Sequence, residues 1–237
     1  MKLNLDTVRN AAQTLPEWAV TYWPGPVGRR LRRAYWGQRL GAMGRGCVID
    51  IGVVIQSPEH VFLGDNVWID NYVQLIAGAP MRHPRIKVKE NPAYRGRPGE
   101  IHIGSNTHIA PFCVLQGRGG LAIGRDSGVA SHAMLYSLSN HYRDGKDAGS
   151  AADYDQVIKF SPMVPLEKQA LISAPVVTED ATAVGLGAIL LPGSTVRRYS
   201  WVGSGAVVMG EIPSGVIVGG NPAQVLKPRF GDPPPGA

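Results

Sequence analysis

The chain has 237 residues, a net charge of +6 and a sequence pI near 9.5. Hydrophobic residues make up 44 %, enough for a sizeable core, while 30 glycines and 19 prolines favour short strands and tight turns over long helices. No apolar run approaches the ~20 residues of a membrane span, and MKLNLDTVRNAAQ lacks the apolar core of a secretory signal.

Residues 1–45 carry no repeat and read as a helical segment. Within them, EWAVTYWPGPVGRRLRRAYWGQRL reads as a helix, a Pro-Gly-Pro break at 24–26 and a basic helix. Eight Lys/Arg against three acids lie in residues 1–50, and six against two lie in 80–100, so the positive charge sits in two patches. Trp18, Tyr22, Trp23, Tyr35 and Trp36 accompany Arg29, Arg30, Arg32 and Arg33. That mix suits peripheral membrane contact through 16–40 with anionic headgroups. It equally suits a helical cap that buries the Trp rings. No recognised nucleic-acid module accompanies the basic loops, so no nucleic-acid partner is expected.

From residue 46 a six-residue period sets in. Ile51, Leu63, Ile69 and Leu75 lead into Ile103, Ile109 and Leu115, then Ile123, Val129 and Leu135, and finally Val184, Leu190, Val196, Val202 and Val208. Four places after most of these sits a small residue, such as Ala188, Ser194, Ser200 or Ala206. Roughly eighteen hexads are present, and a period held that long marks a solenoid. One hexad makes a short strand and a corner, so three hexads close a triangular turn with the aliphatic residue inward. About six turns at ~4.8 Å per layer give a rod on the order of 29 Å tall. Residues 46–219 form this body, interrupted by loops at 77–100 and 142–170, and 220–237 form a C-terminal segment with an unstructured tail.

The repeat, together with VGLGAILLPGSTVRRYSWVGSGAVVMGEIPSGVIVGGNPAQVLKPR, resembles the hexapeptide-repeat acyltransferases, in the branch of polysaccharide and sugar O-acetyltransferases. The resemblance covers about residues 46–229, and Gly220-Asn221-Pro222-Ala223 is its closing segment. It implies an all-β fold, the left-handed parallel β-helix, whose hand departs from the usual crossover rule. It also implies acetyl-CoA as cosubstrate, a sugar or glycan acceptor, and a homotrimer with active sites between subunits. The two cysteines without a disulfide framework lead to the expectation of a cytoplasmic setting, and the aromatic and basic residues of 16–40 to one peripheral to the inner face of the membrane.

Acyl transfer from a thioester to a hydroxyl needs a base, donors for the oxyanion and a route for the departing thiolate. Histidine suits the base because its pKa lies near neutrality. In the family the catalytic histidine follows a coil in a pattern like SLSNHYRD, which names His141 here. His141 would occupy the aliphatic position of the next hexad, so the chain is expected to leave the core there. Asp144 is the candidate to orient His141 or bind substrate, Asn140 to bind substrate or cap the turn, and His132 to line the cleft or bond the corner backbone. Gly185, Leu186, Gly203 and Ser204 lie in two glycine-bearing turns eighteen residues apart. By the resemblance, backbone amides near Leu186 and Ser204 meet the pantetheine arm, one of them serving as oxyanion donor. Lys227 and Arg229 are the candidates for the 3′-phosphate.

Two other classes share the fold. A γ-type carbonic anhydrase would bind zinc through three histidines, two of them five apart, yet position 137 after His132 is Ser, so no metal is expected. His102 and His108 are expected at equivalent corners, and His60 and His83 in solvent. A non-catalytic scaffold is the other class, and N-acetylation of a nucleotide-linked amino sugar is the second enzymatic reading. Cys47 and Cys113 have no metal-ligand spacing and give no disulfide framework, which fits a reducing compartment; neither is expected as a nucleophile.

Overall fold

Three parallel sheets of seven, eight and six strands carry the chain. The computed structural model describes residues 15–141 and 158–231. Consecutive strands fall on successive sheets: Val48–Ile49 on the second, Val54–Gln56 on the third, Val61–Leu63 on the first, Trp68–Ile69 on the second again. Every third strand therefore pairs with its predecessor, one coil below. Within these three sheets, among the described residues, the exception is the last strand of the second sheet, Gln224–Pro228, which runs antiparallel to its neighbour Val216–Gly219.

The inward residues are those the period marks. Ile69, Leu75, Ile109, Leu115, Leu135, Leu190, Val196 and Val202 are wholly buried, as are the small residues Ala188, Ser194, Ser200 and Ala206. The register differs at one place: Ile49, not Ile51, points inward with Val53, while Ile51 sits at the corner before Gly52 at φ +74°. Two aliphatic residues flank Asp50 there, and the corner geometry selects the first. The rhythm also slips. Val184 pairs with Val202 at eighteen residues, but Ile49 pairs with Ile69, and Leu115 with Leu135, at twenty. The additional two residues fall at the third corner, where the steps Ile55 to Leu63 and Leu115 to Ile123 are eight. Corners one and two are tight, and their left-handed residues stack from coil to coil. Asn66, Asn106 and Asp126 mark the first corner; Tyr72, Phe112 and His132 mark the second.

Both long loops leave at the third corner. Their flanks pair with one another, which the period does not reveal. Leu138–Asn140 runs antiparallel to Leu171–Ser173, and that strand takes Ile86–Val88 of the first loop as its parallel neighbour. Asn91 of the same loop donates to Pro175 O at 3.1 Å and to Thr195 Oγ1 at 2.8 Å. Coiling resumes at Val176–Thr178. Residues 142–157 of the second loop, residues 1–14 and the tail after 231 lie outside the described residues.

At the first-coil end, residues 15–22 are helical and Pro24 precedes the helix Gly25–Gly37. Arg32 is 1 % exposed and donates to four backbone carbonyls, those of Ile49, Val20, Thr21 and Trp23. Trp36 enters the core beside it. The cap thus buries Trp36, while Trp18 and Trp23 stay 64 % and 52 % exposed. Arg29 is taken by Asp50 through two hydrogen bonds, at 2.6 and 3.0 Å. The four-arginine patch is therefore partly structural: Arg32 ties the unsatisfied carbonyls at the end of the helical residues 15–22, those of Val20, Thr21 and Trp23, to Ile49 O of the first coil.

The packing can be tested in two ways. Arg32→Met leaves buried carbonyls without donors and should cost about 3 kcal/mol. Thermal unfolding should then begin roughly 6–12 °C lower; an unchanged Tm would show the cap to be uncoupled from the coils. Cys113 is fully buried and burial pushes its thiol up to about 11; burial also raises the Cys47 thiol. Both should ignore a disulfide-exchange reagent at pH 8 in the native protein and react on unfolding. Rapid native labelling would contradict the packing.

Candidate functional site

The candidate residues divide between two corners of the prism. Gly185 and Leu186 follow the second-sheet strand Ala183–Val184, and Gly203 and Ser204 follow Trp201–Val202 one coil on. The two turns stack directly: Gly185 N donates to Val202 O at 2.8 Å and Gly205 N to Leu186 O at 2.8 Å. A Cβ on Gly185 would lie 2.6 Å from Ser204 N, so the coils approach too closely there for any side chain. Gly187, at φ +62°, has open space above it. Leu186 and Ser204 are exposed, and their N–H groups donate to no backbone acceptor among the described residues. Two amides with no backbone acceptor among the described residues thus sit one coil apart at the second corner. His132 shares this corner one coil earlier, its neighbour Ser131 accepting from Gly187 N at 3.0 Å. The His132 ring is exposed and stacks on Phe112, with centroids 5.1 Å apart and planes 9° from parallel.

Asn140 and His141 lie past the third sheet, at the other corner. Asn140 is exposed in the strand Leu138–Asn140, opposite Leu171. His141 is half-buried, and its N–H donates to Ala170 O at 2.8 Å. The chain has left the core at this point, as the register argument expects. Ser137 anchors the exit: it is wholly buried and its hydroxyl donates to Gln116 O at 2.7 Å. Asp144 lies outside the described residues. Within one chain, then, His141 and the glycine-bearing turns occupy different edges of the prism.

A trough of about 340 Å³ lies beside the second corner, on the outer face of the second sheet. His108 and Trp201 wall it, Gly128 and Ala183 form its floor, and Ser131 and Leu186 edge it. His108 Nε2 stands 3.4 Å from Asp70 Oδ2 and its ring 5.0 Å from that of Trp68. Sequence reasoning did not single out Trp201. The signal was its place immediately before an inward Val, which puts a strand side chain outward. Lys227 is exposed in the last strand, opposite Ile217. Arg229 is already occupied: Nη1 donates to Tyr199 O at 2.8 Å and Ala181 O at 3.2 Å, and the guanidinium lies 5.9 Å from the Trp201 ring.

The other histidines correct the corner assignment. His102 and His108 lie within strands and face outward, on the first and second sheets. Each directly precedes an inward Ile, Ile103 or Ile109, and so takes the outward place of a strand rather than the corner. His102 stacks on Phe62, centroids 4.7 Å apart, and its Nε2 lies 2.8 Å from Glu100 Oε2. His83 is buried rather than solvent-facing, its Nδ1 accepting from Arg85 N at 3.1 Å. Among the described residues no three His, Cys, Asp or Glu side chains are grouped to hold a metal ion. No helix among them is long and apolar enough to cross a membrane.

No family model matches the chain. Gamma carbonic anhydrase 1, mitochondrial, of Arabidopsis thaliana is 30 % identical over 132 residues, 54 % of this chain and 44 % of that protein. The putative lipopolysaccharide biosynthesis O-acetyl transferase WbbJ of Escherichia coli strain K12 is 28 % identical over 129 residues, 54 % of this chain and 61 % of that protein. The chain thus spans about half the length of these curated relatives. The N-acyltransferase AntD from Bacillus cereus, solved with dTDP and 3-hydroxybutyryl-CoA, superposes with a TM-score of 0.64 at 16 % identity, covering 89 % of this chain and 90 % of that one. Its fold is therefore shared over most of both chains. The chain is thus similar in sequence to a γ carbonic anhydrase and to O- and N-acetyltransferases, and it shares the fold of AntD.

Proposed function

We propose that the chain is an acetyl-CoA-dependent O-acetyltransferase that acetylates a hydroxyl of a sugar or glycan. The observation that carries this reading is the exit of the chain at His141. A coil that would have buried an imidazole instead presents it half-exposed at the third corner, on a strand pair anchored by Ser137. His141 takes the hydroxyl proton as the oxygen attacks the thioester carbonyl. A backbone amide, that of Leu186 or Ser204, donates to the oxyanion as it forms. Collapse of the tetrahedral intermediate expels the thiolate, which recovers a proton, and coenzyme A leaves as thiol. Asn140 and His132 contact the acceptor, Asp144 orients the imidazole, and Lys227 meets the 3′-phosphate. Arg229 acts there through its hold on the last strand as much as by its charge.

The body, 46–219, is a left-handed β-helix between the helical segment 1–45 and the C-terminal segment 220–237. Because one copy sets His141 and the glycine-bearing turns on different edges, we assign the site to the seam between copies in a homotrimer. His141 of one prism then faces Leu186 and Ser204 of the next. The same geometry serves an amino group, and AntD was solved with an amino sugar linked to dTDP; an assay with matched hydroxyl and amino sugars separates the two. A cytoplasmic enzyme peripheral to the membrane fits Trp18, Trp23, Leu15 and Val27, all more than half exposed, beside the exposed Arg30 and Arg33.

Thiol release from acetyl-CoA should be followed across sugars, sugar nucleotides and lipid-linked glycans. His141→Ala should lower turnover by ~10²–10⁴-fold, and wild-type turnover in that variant would remove His141 from the mechanism. Vesicles containing anionic lipid should pellet the protein at low salt, and the Trp18→Ala/Trp23→Ala pair should lower partitioning by about tenfold. Equal pelleting of variant and wild type would return these rings to a protein-facing role.

A further inference from the structure

The first loop brings a basic strand to the strand that holds His141. Leu171 is the partner of both Asn140 and Ile86, and Ile172 of both Ser139 and Lys87. The ladder runs on at both ends, since Leu171 N donates to Arg85 O at 3.0 Å and Lys89 N to Ser173 O at 2.8 Å. Period-two alternation puts Lys87 on the face of Ser139 and Ile172, and the same step carries His141, Arg85 and Lys89 to that face. Lys87 stands two strand spacings across the ribbon and two residues along from His141, roughly 12 Å away. Lys87 and Lys89 are exposed. The loop holds two acids: Glu100 is engaged by His102 at 2.8 Å and by Arg97 at 3.4 Å, and the exposed Glu90, next to Lys89, falls by alternation on the opposite face from Lys87 and Lys89. The loop is held from its far side by the Asn91 bonds to Pro175 and Thr195, so the strand does not depend on ligand for its place.

We infer that this strand receives the phosphates of a phosphorylated carrier on the acceptor sugar, with Lys87 and Lys89 as the contacts. The inference rests on His141 marking the acceptor hydroxyl. A sugar ring and its anomeric phosphate together span the width of the ribbon. The hydroxyl then lies at His141 while the diphosphate lies on Lys87 and Lys89. Charge complementarity names the ligand: mobile ammonium groups on an exposed strand suit phosphate oxygens. The carrier is a diphosphate, whether a nucleotide's or a lipid's. Edge strands also carry lysine merely to deter pairing with other chains, and the experiment must separate that role.

Binding is read without turnover, so it does not depend on the acetyl transfer. Inorganic pyrophosphate, UDP and farnesyl diphosphate are titrated against the full chain by calorimetry at low salt. Lys87→Gln/Lys89→Gln should weaken pyrophosphate by about 10- to 100-fold and flatten its salt dependence, with the melting temperature kept. Lys87→Arg/Lys89→Arg should retain the affinity. Tighter binding of UDP than of pyrophosphate assigns a nucleotide carrier; tighter binding of farnesyl diphosphate assigns a lipid one. Absent pyrophosphate binding, or equal affinity in wild type and the Gln pair, overturns the inference and leaves the lysines as edge guards. In kinetics, the Gln pair should raise KM for a diphosphate-linked acceptor and leave kcat near wild type. His141→Ala, by contrast, should lower kcat and leave pyrophosphate binding intact.

Discussion

Coil closure governs this molecule. Each strand must meet its predecessor at the fixed ladder spacing, so every coil must bring the chain back to the same azimuth. Two corners meet that demand with a fixed four-residue turn and a left-handed residue. Asn, Asp and Gly hold the left-handed place at low cost, yet Tyr72, Phe112 and His132 also hold it. Their rings stack into a column, Tyr72 on Phe112 at 5.4 Å and Phe112 on His132 at 5.1 Å. Stacking across coils offsets the backbone strain of a bulky residue there. The third corner is not so constrained. It carries the eight-residue steps, the first loop and the exit at His141.

That asymmetry separates what supports the fold from what supports the site. The inward column of Ile, Leu and Val fills the prism, and a polar group placed there goes without a partner, as the buried Thr178 Oγ1 does. Chemistry therefore has to sit on corners and outer faces, where residue type is free. The second corner supplies close backbone approach through Gly185 and Gly203. The third supplies side chains on chain that has left the ladder. The separation of these two edges is the physical reason to expect more than one copy in a complete site.

The period was legible because an inward residue recurs with the coil, and burial at those positions is nearly total. Three things were not. The two-residue slip at the third corner is invisible when every hexad is counted as equal, and the eight-residue step from Ile55 to Leu63 moves the inward place from Ile51 to Ile49. His102 and His108 were placed at corners although each directly precedes an inward Ile, which makes it the outward residue of a strand. Pairing between Ile86–Val88 and Leu171–Ser173 joins residues 85 apart in the sequence, with no period connecting them. At the site, His141 stood out as a polar residue in an apolar slot. Trp201 did not, because outward positions carry no register signal of their own.

A stack of parallel coils has no intrinsic stopping rule, since its last rung presents the same unpaired ladder as its first. At one end Arg32 and Trp36 close it from the helix Gly25–Gly37. At the other, the chain reverses at Gly220–Ala223 and lays Gln224–Pro228 backwards against the second sheet. An antiparallel final strand cannot template another parallel coil in register. The reversal therefore limits filament growth, and a chain truncated before it would expose an adhesive rung to every other copy in solution.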